Sequence, residues 1–290
     1  MTIYNLGSIN ADNVYAVPHL PAPGETLAAT GLRNGLGGKG ANMSVAAARA
    51  AARVVHIGAV GPDGRRAVER LLEYGVDTRH IAQVAEVTGH ANIYVDAAGE
   101  NVIILCAGAN HAVPHAEIAK ALSSANAGDF FVTQNETNAQ AEAARMAHDL
   151  GLRVVYAAAP FSAGAVQAVM PVLDLLVLNA VEAEQLCVET GSDTGDLPVR
   201  DVMVTRGGEG CIWYTAGAAP QVFPAIPVTP VDTTGAGDTF TGYLIAGLDR
   251  GMPMAQAIGL ATRAGALMVM RHGTADVIPD LKVIEEFAFR

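Results

Sequence analysis

The sequence predicts an α/β protein with a largely parallel β-sheet and a small second β-sheet protruding from it. From residue 115 onward, apolar runs alternate with helical patterns, a rhythm typical of parallel strands joined by helical crossovers. Residues 13–33 and 91–106 instead contain short strand-like segments that do not follow this rhythm. We expect these two segments to form the protruding sheet.

The N-terminal part reads as a first strand, a strand pair, a helix and a buried strand. The first strand is the apolar run 3–9, and the Ala-rich stretch 39–52 is expected to be helical. The further predicted elements here are exposed strands at 13–17 and 26–33, a buried strand at 54–60, a helix at 63–74, and a hairpin of 91–97 with 101–106.

The C-terminal part carries the α/β rhythm. Apolar runs predict buried strands at 130–133, 153–157 and 175–178, separated by helices at 137–149, 163–170 and 181–190. A β-meander is expected over 201–225, followed by helices at 236–250, 254–270 and 280–288.

The composition limits the class of protein. Of the 290 residues, 51% are hydrophobic and 16% charged, so a sizeable core can be buried. A formal net charge of −11 disfavours binding to nucleic acid or to an anionic membrane. The three cysteines are widely spaced, no signal peptide is recognisable, and no apolar run is long enough to span a bilayer. We therefore expect a cytoplasmic protein.

The segment 232–240, Asp-Thr-Thr-Gly-Ala-Gly-Asp-Thr-Phe, carries the strongest chemical signal. A strand-like run at 223–231 leads in and a helical pattern leads out. Gly235 and Gly237 permit a sharp turn and close approach to a ligand, and the free N–H groups of the next helical turn form an anion site. Asp238, in the same turn, suits a general base towards an attacking hydroxyl. A capped helix N-terminus explains the residues equally well.

A second glycine-rich segment precedes the Ala-rich helix. Residues 35–40 satisfy G-x-G-x-x-G, but about 25 residues separate them from the first strand, which argues against a dinucleotide-binding oxidoreductase. Arg33 and Gly40 exclude a Walker A loop. We interpret the segment as a helix start that presents backbone N–H groups, Lys39 and Asn42 to a polyhydroxyl or phosphate ligand. A simple glycine-rich turn into a helix is the alternative.

Several polar residues follow predicted strands, where ligands of open parallel sheets bind. Asn10 and Asp12 follow the first strand and can hydrogen-bond a vicinal diol, although an Asx-rich turn is the simpler explanation. Glu136 follows the strand at 130–133. Asn179 and Glu182 suit either a hydrated Mg²⁺ or a helix capping box.

Two more segments have both a functional and a structural interpretation. Residues 205–210, Thr-Arg-Gly-Gly-Glu-Gly, could pass close to a nucleotide or simply form a hairpin turn. His111 and His115 have an H-x-x-x-H spacing, but Pro114 prevents a regular helix there. We interpret the two histidines as loop residues rather than metal ligands.

The two glycine-rich motifs together resemble the ribokinase (PfkB) family of carbohydrate kinases in order, spacing and length. The resemblance runs from about Tyr4 to Pro279. Further segments similar to ribokinase-type members are 7–12, 23–26, 99–102 and 107–110. The resemblance implies a three-layer α/β/α core within one kinase domain over 1–290. It also implies a β-sheet lid of strands at about 11–34 and 89–107, through which two copies often pair as a homodimer.

The resemblance also implies roles for matching residues. The base would be Asp238, with an anion hole formed by Gly235, Ala236 and Gly237. The sugar hydroxyls would be held by Asn10, Asp12, Gly38, Lys39, Asn42 and Glu136, next to Asp238. ATP would lie against Asn179, Thr205, Arg206, Gly207, Gly208, Glu209, Gly210, Gly237 and Thr262.

Two cations complete the implied site. Mg²⁺ would be held by Asn179 and Glu182, mostly through water. A monovalent cation, K⁺, would lie near Asp232, Thr234, Met268, Arg271 and Gly273. Val277 stands where these proteins usually have a serine that helps to bind this cation, which argues against K⁺ activation.

The chain departs from the ribokinase pattern at three further places. Of the usual Asn-Pro-Ala-Pro, only Pro160 remains in the segment 157–160. The segment between Glu182 and Thr205 is short, so a surface helix beside the nucleotide is expected to be trimmed. Thr262 stands where a histidine often lies beside adenine.

The sequence thus predicts an ATP-dependent transfer of a phosphoryl group to the primary hydroxyl of a pentose, with the 5-hydroxyl of ribose as the first candidate. A nucleoside or a hexose such as fructose is the alternative acceptor. A non-catalytic sugar or nucleotide sensor on the same fold is the alternative from another class.

Overall fold

The computed structural model describes residues 1–288, and the last two residues of the predicted domain, 289–290, lie outside this range. The strands, in chain order, are β1 (Thr2–Leu6), β2 (Asn10–Ala16), β3 (Gly31–Gly37), β4 (Arg53–Val60), β5 (Asp77–Gln83), β6 (Gly89–Val95), β7 (Asn101–Cys106), β8 (Phe130–Gln134), β9 (Arg153–Ala157), β10 (Leu175–Asn179), β11 (Asp201–Thr205), β12 (Cys211–Thr215) and β13 (Gln221–Phe223). The α-helices are α1 (Lys39–Arg49), α2 (Arg65–Glu73), α3 (His115–Leu122), α4 (Gln140–Asp149), α5 (Ala163–Val169), α6 (Ala180–Thr190), α7 (Ala236–Asp249), α8 (Met254–Met268) and α9 (Leu281–Glu286).

The large sheet has nine strands in the order β13-β12-β11-β10-β9-β8-β1-β4-β5. All neighbouring pairs from β11 to β5 are parallel, and only β12 and β13 are added in antiparallel pairing. Strand order reverses at β1, because the chain continues to β4 on one side and later returns to β8 on the other. In open α/β sheets, such a switch point leaves a crevice at the carboxyl ends of the strands.

Helices cover both faces of this sheet, so the core has two apolar layers. One layer packs against α1, α2, α7, α8 and α9 and the other against α3, α4, α5 and α6. Alternation along β8 explains the split: Phe130 and Val132 point into the first layer, and Phe131 points into the second. Burying a side chain of this size contributes about 1.5–3 kcal/mol. The predicted three-layer α/β/α fold is confirmed.

The small sheet has the strand order β3-β2-β6-β7. Its strands β2 and β3 form one antiparallel pair, β6 and β7 form another, and β2 runs parallel to β6. A separate second sheet was predicted from these segments and is present. Its bounds are shifted, because β3 covers Gly31–Gly37 rather than 26–33 and β2 starts at Asn10 rather than residue 13.

Two other predicted elements need correction, and one strand was missed. The first strand ends at Leu6 rather than residue 9. Residues 224–231, expected to be strand-like, contain no regular strand, because β13 ends at Phe223. The strand β5 was not predicted, since its sequence, Asp-Thr-Arg-His-Ile-Ala-Gln, lacks a clear apolar alternation. Over residues 1–288, none of the helices has the length and apolar character needed to cross a membrane.

Candidate active site

The crevice at the strand-order switch is framed by residues that follow β1 and β8 and by the N-terminus of α1. The close approach of α1 to the end of β1 depends on two glycines. A Cβ atom added to Gly40 would lie 2.4 Å from the Cα of Gly7, and one added to Gly7 would lie 2.5 Å from the Cα of Gly40. Larger residues would push the helix away from the strand, so these glycines fix where α1 begins.

A chain of buried polar groups holds this junction together. Gln134 donates to Asn5 Oδ1 (2.8 Å), and Asn5 Nδ2 donates to Gly40 O and Ser44 Oγ, both at 2.8 Å. Ser44 Oγ lies 2.8 Å from His56 Nδ1, and His56 Nε2 lies 3.1 Å from Gly7 O. Because a carbonyl only accepts, His56 is protonated on Nε2 and accepts from Ser44 on Nδ1. Burial lowers the pKa of His56 to about 4, so the imidazole is neutral.

Glu136, in the loop after β8, closes the N-terminus of α1. Its Oε2 accepts hydrogen bonds from the Ser8 hydroxyl and from Lys39 N (3.1 Å). Gly40 N donates to Ser8 Oγ (3.2 Å), and Ala41 N donates to Ser8 O (2.8 Å). The first three N–H groups of α1 are therefore satisfied within the protein. The expectation that this helix start offers them to a ligand is wrong, whereas the Lys39 side chain remains available.

Asn10 and Asp12 lie on one face of β2, because alternate residues of a strand share a face. Asn10 Oδ1 accepts from Asn110 Nδ2 at 2.8 Å. The buried Asp12 carboxyl lies against Gly37, where an added Cβ would approach Asp12 Oδ2 to 2.1 Å. Burial, with the charges of Glu136 and Asp276, raises the pKa of Asp12 to about 7. This carboxyl can therefore both donate and accept near neutral pH.

Gly38 connects the small sheet to α1 in a conformation that only glycine adopts readily. Its φ is 93°, and an added Cβ would lie 2.8 Å from Ser8 O and 3.0 Å from Asn10 N. The backbone of Gly38 thus packs directly against the backbone of Ser8 and Asn10, where the chain passes from β1 to β2.

Asp238 lies in the first turn of α7, buried beside α1. Its Oδ2 accepts a hydrogen bond from Asn42 Nδ2 at 2.9 Å. Burial raises the pKa of Asp238, while the Lys39 charge and the Asn42 hydrogen bond act in the opposite direction. Oδ1 makes no hydrogen bond with residues 1–288, so it is available to accept a proton from a bound hydroxyl.

The N-terminus of α7 is open, unlike that of α1. Gly235, at φ 75°, turns the chain into the helix. Ala236 N donates to Thr233 O (3.2 Å), but Gly237 N and Asp238 N donate to no group of residues 1–288. A Cβ added to Gly237 would meet nothing within 4 Å. This turn combines free N–H groups, a helix dipole and open space, the features of an anion site.

The charges of the crevice converge on Lys39. Burial lowers the pKa of its ammonium group, but the carboxylates of Asp238, Glu136 and Glu182 outweigh burial and raise it. These three carboxylates come from different elements, and all of them act on the same ammonium group. Carboxylates outnumber the ammonium group, which favours hydroxyl donors as ligands and disfavours a free polyphosphate unless a divalent cation accompanies it.

Asn179 and Glu182 form a complete capping box at the start of α6. Glu182 N donates to Asn179 Oδ1 (2.9 Å), and Asn179 N donates to Glu182 Oε2 (2.8 Å). The pair therefore does form the helix capping box that was one of its two interpretations. Glu182 Oε1 makes no hydrogen bond with residues 1–288, and Glu182 acts electrostatically on Lys39, so the pair also fits a hydrated Mg²⁺.

The other predicted nucleotide residues lie at the end of β11, in the turn after it, and on α8. Residues 206–210 form the turn between β11 and β12, so this segment does form a hairpin turn. Gly210, at φ 94°, lies against the chain after β13, where an added Cβ would lie 2.0 Å from Phe223 O. Arg206 pairs with Glu209 (3.3 Å). Thr205 Oγ1 donates to Leu178 O in β10 (3.3 Å). Thr262 is half-buried on α8.

Of the predicted monovalent-cation residues, Thr234 and Gly273 contact the Asp232 carboxylate. Each of its oxygens accepts one backbone hydrogen bond, Oδ1 from Thr234 N (2.9 Å) and Oδ2 from Gly273 N (3.2 Å). Arg271 N donates to Met268 O (3.2 Å). The apolar side chain of Val277 lies against Gly273, since a Cβ added there would be 3.3 Å from Val277 Cγ1. Val277 offers no oxygen to a cation at this position, and we assign no step to K⁺.

The predicted loop character of the two histidines holds only in part. His111 ends a 3-10 turn (Gly108–His111), whereas His115 begins α3 and pairs with Glu142 at 3.1 Å. In the part of the chain that the structure describes, no three His, Cys, Asp or Glu side chains assemble as a metal site.

Two residues that contact the site residues were not predicted. Ser8 follows β1, and the same rule that selected Asn10 and Asp12 could have selected it. Asn110 is 100 residues away from Asn10 in the chain, and no local spacing signals that the two side chains meet.

Comparisons with known proteins agree with this geometry. The family model for pfkB family carbohydrate kinases matches residues 2–281. The ribokinase of Haemophilus influenzae is 33% identical over 301 residues, covering 99% of this chain and 98% of that protein. Similar solved structures include the ribokinase of Cryptococcus neoformans with ADP (TM-score 0.86, 30% identity, 98% of each chain). Another is the Arabidopsis thaliana ribokinase with ribose and ATP (TM-score 0.87, 26% identity, 99% of this chain and 98% of that chain). The resemblance inferred from the two glycine-rich motifs is confirmed.

Proposed function

Since the chain belongs to the pfkB family of carbohydrate kinases, we propose that it transfers the γ-phosphoryl group of ATP to the 5-hydroxyl of ribose. The observation that carries this proposal is the meeting of the two glycine-rich motifs. Asn42 of the first motif donates to Asp238 of the second, directly beside the open N-terminus of α7. A proton acceptor and an anion site therefore adjoin each other at the end of the acceptor crevice.

Asp238 acts as the general base. Asn42 engages Oδ2 and so orients Oδ1 towards the crevice, and the Lys39 charge favours the ionised carboxylate that the reaction needs. The acceptor's hydroxyl gives its proton to Oδ1 as its oxygen attacks the γ-phosphorus, and the bond from the γ-phosphorus to the bridging oxygen breaks so that ADP leaves.

The turn 235–237 stabilises the transferred phosphoryl group. The free N–H groups of Gly237 and Asp238 point at the charge that develops on its oxygens, in a site that needs no rearrangement. Lys39 lies within electrostatic reach of Asp238 and Glu182 and adds positive charge between acceptor and nucleotide.

The acceptor is held by the buried face of the crevice. Asn10, Asp12 and Glu136 present a donor and two carboxyl groups to vicinal hydroxyls, and each is held in place by protein contacts. The nucleotide would lie along 205–210 and Thr262, on the exposed side. Mg²⁺, carried by the nucleotide and held through Glu182 and Asn179, would neutralise the phosphate charge that this acidic crevice otherwise repels.

The deciding experiment is an acceptor panel in a coupled ADP-release assay with MgATP. We expect ribose to give the highest kcat/KM, ahead of deoxyribose, fructose and nucleosides, in reactions run with and without K⁺. A nucleoside or hexose as the best acceptor would redirect the assignment within the family. Nucleotide binding without turnover of any acceptor would establish a non-catalytic sensor instead.

We also propose that two copies pair through the small sheet, as a homodimer. β7 is an edge strand with exposed apolar residues on both faces, including Ile103 (53% exposed), Ile104 (56%) and Leu105 (63%). Leu105 pairs with Ala91, which pairs with Asp12, so one of these faces continues from the acceptor site. An apolar edge of this kind is a liability for a free monomer.

Light scattering coupled to size exclusion tests the dimer. Ile103→Asp combined with Leu105→Asp should shift the protein from dimer to monomer. The matched control is Val222→Asp, because Val222 is similarly exposed (62%) on the edge strand of the large sheet. A monomeric wild-type protein would contradict the proposal.

A further inference from the structure

Hydrogen bonds of Asn110 link its own turn to two other segments of the acceptor crevice. Its side chain is 2% exposed, in the turn Gly108–His111 that follows the small sheet. Ile9 N donates to Asn110 Oδ1 at 2.8 Å, and Asn110 Nδ2 donates to Asn10 Oδ1 at 2.8 Å. Its backbone carbonyl accepts from Asn138 N, in the loop that carries Glu136.

The direction of these hydrogen bonds is fixed by the backbone. Ile9 N–H can only donate, so the atom of Asn110 that faces it must be the amide oxygen. The NH₂ group of Asn110 then faces Asn10, and the atom of Asn10 that meets it must be an acceptor. The carbonyl oxygen of the Asn10 amide is therefore engaged, and its NH₂ group points elsewhere.

Close packing protects this bond. Gly89, the first residue of β6, lies over it: an added Cβ would be 2.1 Å from Asn110 Nδ2 and 2.5 Å from Asn10 Oδ1. A water molecule cannot replace the bond without displacing β6. Turning the Asn10 amide over would bring two NH₂ groups together, at the price of a buried unpaired donor.

The free end of the Asn10 amide lies where the acceptor is proposed to bind. Within residues 1–288, Asn10 Nδ2 makes no hydrogen bond, and Asn10 shares its strand face with Asp12. Asn10 thus presents a donor beside the carboxyl group of Asp12. A hydroxyl that donates to the carboxylate can accept from the amide.

We propose that Asn110 is a specificity-determining positioning residue, which fixes the Asn10 amide so that its NH₂ group, rather than its carbonyl, faces the acceptor sugar. The inference rests on the proposed function for the identity of the sugar, but the hydrogen-bond direction stands on the free protein. The group recognised is a hydroxyl oxygen of the sugar that must accept a hydrogen bond.

The near-isosteric substitution Asn110→Asp reverses the direction. One carboxylate oxygen still accepts from Ile9 N, but the other can only accept, so the Asn10 amide must turn its NH₂ group towards it. A carbonyl then faces the sugar. We expect KM for ribose to rise about 10- to 100-fold with kcat and KM for ATP nearly unchanged, because only an acceptor contact is lost.

Asn138→Asp is the matched control. The Asn138 amide also donates and accepts, but both bonds go to the backbone of Val113, at 3.0 Å, and not to Asn10. It should lower thermal stability similarly without the selective rise in KM for ribose. The penalty of Asn110→Asp should also shrink as pH falls, because the protonated carboxyl group can donate to Asn10 again, as the amide does.

Monodeoxy riboses identify the contact. With the wild type, the analogue that lacks the recognised hydroxyl should be a poor substrate, and Asn110→Asp should barely affect it. Equal losses on ribose and on every analogue, with KM for ATP changed too, would reduce Asn110 to a structural role and overturn the inference.

A measurement without turnover separates this inference from the proposed kinase activity. In the ligand-free protein, the side-chain NH₂ protons of Asn110 should exchange slowly with solvent by NMR, and Asn10→Ala should accelerate the exchange about 10-fold or more. Equally fast exchange in both proteins would overturn the inference even if ribose is phosphorylated. A wild type that phosphorylates no pentose, yet shows the protected NH₂, would reject the proposed function and keep the hydrogen-bond direction.

Discussion

Two glycine-led helix N-termini meet at the crevice, and they differ in what satisfies them. At the start of α1, Ser8 and Glu136 accept the first N–H groups, so the helix end is closed by the protein itself. At the start of α7, Gly237 N and Asp238 N find no acceptor within residues 1–288. Both helices begin with glycine motifs of similar appearance, yet only one can bind an anion.

Because of this difference, the two helix ends suit different parts of the reaction. The closed end of α1 is held by hydrogen bonds within the protein and carries side chains, Lys39 and Asn42, towards the crevice, which suits recognition of an acceptor of fixed shape. The open end of α7 leaves its backbone dipole unpaired, which suits a phosphoryl group that is present only during the reaction. Asp238 lies at the boundary and is the residue on which the division depends.

Removing the charge of Asp238 should have the largest effect. Asp238→Asn keeps an oxygen to accept from Asn42 but removes the base, so we expect kcat to fall at least ~10²-fold with ATP binding retained. Turnover by ADP release and ATP affinity by calorimetry measure the two quantities. Asp249→Asn is the control, because Asp249 is equally buried at the other end of α7. Near-normal turnover of Asp238→Asn would refute the assignment of the base.

The buried carboxyl group of Asp12, beside the closed end of α1, should make the stability of the protein depend on pH. The pKa of Asp12 is about 7 in the folded protein, against 3.8 ordinarily, so the folded state binds the extra proton between these values. Stability is therefore lost as pH rises through this window. From pH 5 to pH 8 the loss amounts to about 2–3 kcal/mol.

Asp12→Asn should abolish that pH dependence while weakening ribose binding. Denaturant unfolding of the free protein at pH 5 and pH 8 measures the first effect, and KM for ribose measures the second. The variant should be more stable than the wild type at pH 8. If the two proteins lost stability in parallel between these pH values, Asp12 would not be the titrating group.

Glycine substitutions separate the closed end from the open end. Gly40→Ala places a methyl group 2.4 Å from Gly7 Cα, which forces α1 away and should destabilise the protein by about 1–3 kcal/mol. Gly237→Ala places it in open space, so stability should hold while KM for ATP rises about 10-fold as the methyl group occupies the phosphate's position. Thermal melts and ATP titrations distinguish the two. A destabilised Gly237→Ala with normal KM would contradict the open site.

The open helix end was predictable from sequence and the closed one was not. Gly235, Gly237 and Asp238 lie within one short segment, so their shared turn follows from local rules. The acceptors that close α1 lie 32 residues (Ser8) and 97 residues (Glu136) from their donors, and only the folded sheet brings them there. The parallel strands were predictable because both faces are buried and the runs are apolar, whereas half-exposed β5 carries no such signal.

A third helix N-terminus, that of α6, gives the smallest expected effect. Asn179 and Glu182 cap α6 reciprocally, so Asn179→Ala should cost about 1 kcal/mol of stability. Because the same pair is proposed to hold Mg²⁺, the concentration of Mg²⁺ for half-maximal turnover should also rise, by up to about 10-fold. Thermal melts and Mg²⁺ titrations at saturating ribose measure these quantities.

Ser162→Ala provides the comparison for α6. Ser162 caps the neighbouring helix α5 through a hydrogen bond from Ala165 N (3.4 Å). Ser162 lies after the end of β9, and Asn179 likewise lies at the end of β10, so the two caps occupy comparable positions. Its loss should lower stability by a similar or smaller amount and leave the Mg²⁺ requirement unchanged. If both variants lowered stability and neither altered the Mg²⁺ requirement, the capping box would account fully for Asn179, and the nucleotide's cation would be held elsewhere.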